Sequence, residues 1–188
     1  TSGTTIDAIS QQLYDRLLDI DANNGNLLPA LATNWQISDD GLTYVFNLRS
    51  DVAFHQTEYF SPSRHLNATD VEFTFNRILD IHHPFHQTAT EYPYFDSVEW
   101  RELVKSVTAV TSSQVVFQLN KPDSSFLSTL ATDFAAILSA EYGEKLQKEQ
   151  QLPQLDVLPI GTGPFKFREY KKDVLIRYYR NNNYWRQT

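Results

Sequence analysis

Three histidines stand close together, His82, His83 and His86, and two of them are four residues apart. On a helix that spacing puts both imidazoles on one face, as a shared metal requires. Pro84 spoils the geometry, because it forces His83 out of the α region and makes Ile81 to His86 the loop that ends a helix. With no carboxylate or further histidine at ligand spacing, these read as solvated loop histidines, and no metal ligand is assigned. Asp39 and Asp40 are adjacent carboxylates, but successive turn residues point apart, whereas an acid and base pair converges across a cleft. There is no nucleophile elbow, no phosphate-cradling glycine loop and no Walker lysine. Gly161-Thr162-Gly163 is too short for that role, and Pro164 has no amide to offer a phosphate. Asn67-Ala68-Thr69 fits a glycosylation acceptor, yet a helix cap explains the same asparagine. No catalytic residue is assigned, and the chain does not read as an enzyme.

Aromatic residues are what the chain has in excess, at 13%. Tyr59, Phe60, Tyr92, Tyr94, Phe95 and Trp100 cluster around loops, where ring faces can line a cleft for peptide side chains. Core packing is the plainer use of the same rings. Tyr92 and Tyr94 are kept as candidate ligand contacts.

The elements that must position such residues are mixed. Ile6, Ile9, Leu13 and Leu17 recur at helical spacing behind Gly3, Thr4 and Thr5, which can cap, and Leu17 to Asp19 can pass into a short strand before a turn over Asp21 to Asn26. Trp35 and Ile37 alternate, as do Tyr44, Phe46 and Leu48, around Ser38-Asp39-Asp40-Gly41, which predicts a hairpin. Asn67 and Asp70 precede Val71, Phe75, Ile78 and Leu79 and predict a capped helix. A second hairpin is expected from Val107 to Leu119, a short helix at Phe126, Leu127 and Leu130, and a helix from Ser139 to Lys148. A third hairpin closes the chain, with Phe165 and Phe167 facing Val174, Ile176 and Tyr178. Hairpins interspersed with isolated helices predict an α+β fold, mixed α/β in content, rather than a repeating βαβ layout.

A length of 188 residues corresponds to about 1.3 domains at the usual size. With 41% hydrophobic residues the chain carries enough apolar mass for a core. The formal charge of -7 repels phosphate backbones and anionic headgroups, so nucleic acid is not an expected partner. The absence of cysteine removes disulfides, thiolate nucleophiles and Cys-ligated metals. Methionine is absent too and the chain opens on Thr1, which reads as a processed or excised piece. The longest apolar-leaning stretch, Phe134 to Ala140, falls far short of the roughly 20 residues a membrane-spanning helix needs.

Several stretches together carry a resemblance. Leu31-Ala32-Thr33-Asn34-Trp35, Ser38 to Arg49, Asp51-Val52-Ala53-Phe54-His55, Asn67 to Phe73 with Arg77, Tyr94-Phe95-Asp96, Gly161 to Phe165 and Tyr184-Trp185 follow in order. This series resembles the family 5 extracellular solute-binding proteins, the peptide- and nickel-binding components of bacterial ABC importers. Leu13 to Asp19, Phe60 to Arg64, Tyr92 to Ser97 and Leu138 to Tyr142 resemble the Sap-type branch more than the dipeptide binders. The resemblance implies a periplasmic, monomeric, two-lobed clamp that closes on a peptide and delivers it to ABC permease subunits in the inner membrane. At this length the chain would hold an N-terminal part of lobe one. Residues 1–27 and 159–188 would form two pieces of a base, and residues 28–158 an inserted subdomain, with the second lobe absent. Ser2, Gly3, Thr4 and Thr5 match a turn that faces the cleft in related peptide binders, which makes them candidate ligand contacts beside Tyr92 and Tyr94. The Sap-type branch is associated with cationic antimicrobial peptides, whose charge is opposite to that of this chain. A haem- or metal-binding receptor on the same scaffold is the alternative; no cofactor is assigned.

Overall fold

The structure is a computed structural model that describes residues 13–88, 92–171 and 175–186. Strand β1 (Leu18–Ile20) pairs antiparallel with β2 (Leu27–Pro29) across the expected turn, where Gly25 takes a positive φ of 73°. The helix expected to run through Leu17 lies outside the described residues up to position 12. Residues 14–16 are not helical. Tertiary bonds override the helical spacing there: the carbonyl of Arg16 accepts from the Leu31 amide, and that of Leu17 from the amides of Ala30 and Ala32.

The centre is a four-stranded antiparallel sheet in the order β3-β4-β6-β5, built from β3 (Ala32–Ile37), β4 (Thr43–Leu48), β5 (Val104–Thr111) and β6 (Gln114–Leu119). Both expected hairpins are present, and the register sets Tyr44 opposite Phe117 and Phe46 opposite both Trp35 and Val115. Along β4 burial alternates, so Tyr44, Phe46 and Leu48 enter the core while their neighbours do not. Helix α1 (Ala68–Leu79) packs on β5 and β6. It starts on the expected cap: Asn67 Oδ1 accepts from the Thr69 amide, and Asp70 Oδ2 accepts from the Asn67 amide. Its Phe75 meets Phe117 edge-on at 5.3 Å and Trp100 at 5.3 Å, and Phe126 joins the same cluster. Three of the loop aromatics, Phe60, Phe95 and Trp100, are therefore core residues.

Short helices α2 (Pro93–Ser97), α3 (Trp100–Leu103) and α4 (Phe126–Leu130) carry further core rings. Helix α5 (Ala140–Lys148) begins where Ser139 Oγ accepts from the Tyr142 amide. After α6 (Gln154–Val157), β7 (Phe165–Lys171) and β8 (Leu175–Arg180) form the last hairpin. The content is α+β, as the pattern predicts.

Candidate functional site

Three distant stretches meet around Asp15, whose side chain is almost fully enclosed at 6% exposure. Its Oδ2 accepts from Thr162 Oγ1 at 2.8 Å and from the Trp185 indole N–H at 2.8 Å; its Oδ1 accepts from the Tyr184 hydroxyl at 3.1 Å. Burial raises the pKa of this carboxyl, and the three hydrogen bonds and the nearby Arg186 oppose that rise.

The turn that presents Thr162 is held by contact rather than by unusual dihedrals. A Cβ on Gly161 would lie 2.0 Å from the Leu13 carbonyl oxygen, so only glycine fits. The Gly163 amide donates to that same oxygen at 3.0 Å. From the other side His55 closes the turn. Its amide donates to the Gly161 carbonyl at 2.9 Å, its Nε2 donates to the Gly163 carbonyl at 2.9 Å, and its Nδ1 accepts from the Gly161 amide at 3.3 Å. That set of partners selects the neutral tautomer protonated on Nε2. Burial pushes the His55 pKa down to about 4.

Two guanidinium groups lie over the Trp185 ring, those of Arg49 and Arg186, each 4.5 Å from its centroid. Arg49 is itself anchored bidentately by Asp51. Beside this runs a chain of ion pairs in which Arg186 binds Asp19, Asp19 binds Arg16, and Arg16 binds Asp133. The next residue, Phe134, is 54% exposed and lies parallel to Tyr94, with centroids 4.5 Å apart and an interplanar angle of 7°.

The candidate contacts are distributed unevenly over this region. Ser2, Gly3, Thr4 and Thr5 lie outside the described residues. Tyr94 stands in the aromatic pair. Tyr92 is half-buried, its ring 5.0 Å from His86 and its hydroxyl donating to the His86 carbonyl at 3.1 Å. The histidine loop resolves into separate local contacts. His83 Nδ1 accepts from the Phe85 amide, His86 Nδ1 bonds the Arg77 carbonyl, and His82 is exposed. Among the described residues no group of three or more histidine, cysteine or acidic side chains is placed to hold a metal ion.

An open depression of about 370 Å³ lies between Gln56, Thr57 and Glu58 on one side and Lys166, Phe167, Tyr179 and Asn183 on the other. Nothing in the local sequence around Asp15 or His55 marks them as partners of positions more than 100 residues away. The one available signal was the pair of glycines at 161 and 163, whose meaning depends on what approaches them. Phe134 reads as one more apolar residue in the stretch to Ala140.

Comparison with known proteins places these features in a family. Residues 26–188 match the sequence model of the bacterial extracellular solute-binding proteins, family 5 Middle. The chain is 46% identical over 187 residues to the probable ABC transporter periplasmic-binding protein SapA of Escherichia coli, covering 99% of this chain and 34% of that protein. It is also 46% identical over 185 residues to Heme-binding protein A of Haemophilus influenzae, covering 98% of this chain and 34% of that protein. A crystal structure of a dipeptide-binding protein from Pseudoalteromonas in complex with Met-Leu superposes with a TM-score of 0.95 at 46% identity, covering 100% of this chain and 37% of that one. The chain thus spans about a third of the length of these relatives.

Proposed function

We propose, from the premise that this chain belongs to family 5 of the bacterial extracellular solute-binding proteins, that it forms part of one lobe of a peptide receptor serving an ABC importer. The observation that carries the proposal is the likeness of the whole chain, at a TM-score of 0.95, to a dipeptide-binding protein solved with Met-Leu. In this reading residues 1–27 and 159–188 form the base and residues 28–158 the inserted subdomain. The bonds from Asp15 to Thr162, Tyr184 and Trp185 support joining residues 1–27 and 159–188 into one base, and the contacts of His55 with Gly163 and of Arg49 with Trp185 attach the inserted residues to it.

The role is capture and release without chemistry. A peptide would enter between two lobes, its backbone meeting the Ser2 to Thr5 turn and its side chains meeting the rings of Tyr92 and Tyr94. Closure would bring the second lobe over the ligand, and the closed monomer would dock on permease subunits in the periplasm. The charge of -7 suits cationic peptides among the cargo.

Calorimetric titration of the complete two-lobed protein with dipeptides and longer peptides tests the proposal, with mass spectrometry of whatever copurifies identifying the native cargo. Saturable binding of peptide returned intact supports it; cleavage of the peptide, or no uptake of any peptide, refutes it. The chain of 188 residues alone should bind at least about tenfold more weakly, because half of the enclosure is missing.

A haem receptor on the same scaffold is the second reading, favoured by the likeness to Heme-binding protein A. It draws no support from His82, His83 and His86, which do not converge. Haem uptake by the complete protein at stoichiometric level, with no peptide binding, would put it first.

A further inference from the structure

We infer that Phe134, backed by Tyr94, is a subsite for an apolar side chain of the bound peptide and sets the preference for such residues. The inference rests on the proposed peptide-binding reading and adds to it a residue and a specificity.

A single exposed phenylalanine is ordinary on a protein surface. What distinguishes Phe134 is that its ring is both exposed and immobilised. It stacks on Tyr94 at 4.5 Å and 7°, while 54% of the residue remains open to solvent. The backbone around it is pinned on both sides. Asp133 is paired with Arg16, the Ala135 amide donates to the Thr132 carbonyl at 3.1 Å, and Ala135 and Ile137 are fully buried. A ring held in this way offers a preformed apolar surface with little ordering left to be done on binding.

Location and charge select the occupant. The Ile137 amide donates to the Asp15 carbonyl at 3.0 Å, which joins the Phe134 turn to the Asp15 stretch, and the Phe134 ring stacks on Tyr94, itself a candidate contact for the peptide. Asp133, next to the ring in sequence, begins a chain of ion pairs through Arg16, Asp19 and Arg186 in which acids and bases alternate. Such a border favours neither a peptide terminus nor a charged side chain. It suits a neutral apolar group, which gains by leaving water against the ring.

The test uses the complete two-lobed protein and four dipeptides, Ala-Ala, Ala-Leu, Leu-Ala and Ala-Phe, titrated calorimetrically into the parent and into Phe134→Ala and Phe134→Leu. The expected result is a loss of about tenfold in affinity for at least one leucine- or phenylalanine-containing peptide in Phe134→Ala, with Ala-Ala changed less than about twofold. Phe134→Leu should retain an intermediate preference, and thermal melting of each variant reports its folding. An equal loss for all four peptides means that the ring meets the opposing lobe, and overturns the subsite, as does no loss at all. A concentration-dependent dimer of the parent that Phe134→Ala abolishes also overturns it. In these outcomes the parent still binds peptide and the receptor reading stands; a parent that binds none of the four overturns both.

Discussion

The imidazole Nε2 of His55 donates to the carbonyl oxygen of Gly163 at 2.9 Å across 108 residues of sequence. The contact holds the 161–163 turn against Leu13 and Asp15, and only the neutral ring can make it while also accepting from the Gly161 amide.

Folding therefore lowers the affinity of His55 for a proton, from a pKa of 6.5 to about 4. Above pH 6.5 its contribution to stability is fully present. As the pH falls through that window the unfolded chain takes up a proton that the folded one refuses, and the contribution, of the order of 3 kcal/mol, is lost by about pH 4. Asp15 acts in the opposite sense, because its raised carboxyl takes up a proton more readily when folded. Urea denaturation between pH 7 and pH 4 should show a slope in the parent that His55→Gln flattens; parallel profiles would refute the assignment.

Asp15→Ala strands three donors, the Thr162 and Tyr184 hydroxyls and the Trp185 indole, in a buried site. It should cost about 2–4 kcal/mol. Trp185→Phe keeps an aromatic ring under Arg49 and Arg186 but removes one donor, and should cost about 1 kcal/mol. Chemical denaturation midpoints of the two variants rank them, and equal costs would argue against Asp15 as the hub.

Two glycine substitutions separate contact from backbone preference. Gly161→Ala drives a methyl into the Leu13 carbonyl and should destabilise by about 3 kcal/mol or more. Gly25→Ala meets nothing within 4 Å, and its φ of 73° should cost only about 1 kcal/mol. Melting curves of both variants check the order.

At the start of α1 the cap and its partner carry different loads. Asn67→Ala removes one acceptor and should cost about 1 kcal/mol. Asp70 is fully buried and accepts from Arg64, the Asn67 amide and the Ala140 amide, so Asp70→Ala should cost about 3 kcal/mol or more. Similar losses for the two would show that the cap alone matters.

Much of the fold was legible in the chain because its signals are local. The hairpin around Ser38 to Gly41, the Asn67 cap, the Ser139 cap and the end of α1 before Pro84 each depend on residues within a few positions of one another. The site was less legible. Leu17 carries helical spacing, yet its carbonyl is taken by Ala30 and Ala32. Tyr94 was found from its aromatic neighbourhood, whereas its stacking partner Phe134 was not, because a ring meant for solvent and a ring meant for the core look the same in a list of residues.

By itself the sequence determined the α+β class, the hairpins and capped helices, and the family, because alternation, capping and ordered motifs are properties of neighbouring residues and of their order along the chain. Only the tertiary structure decided that Gly161 must lack a side chain, that His55 is a neutral staple and that Asp15 gathers three donors. Those facts arise where segments more than 100 residues apart are pressed within hydrogen-bond distance, and no short-range pattern encodes which segments will meet.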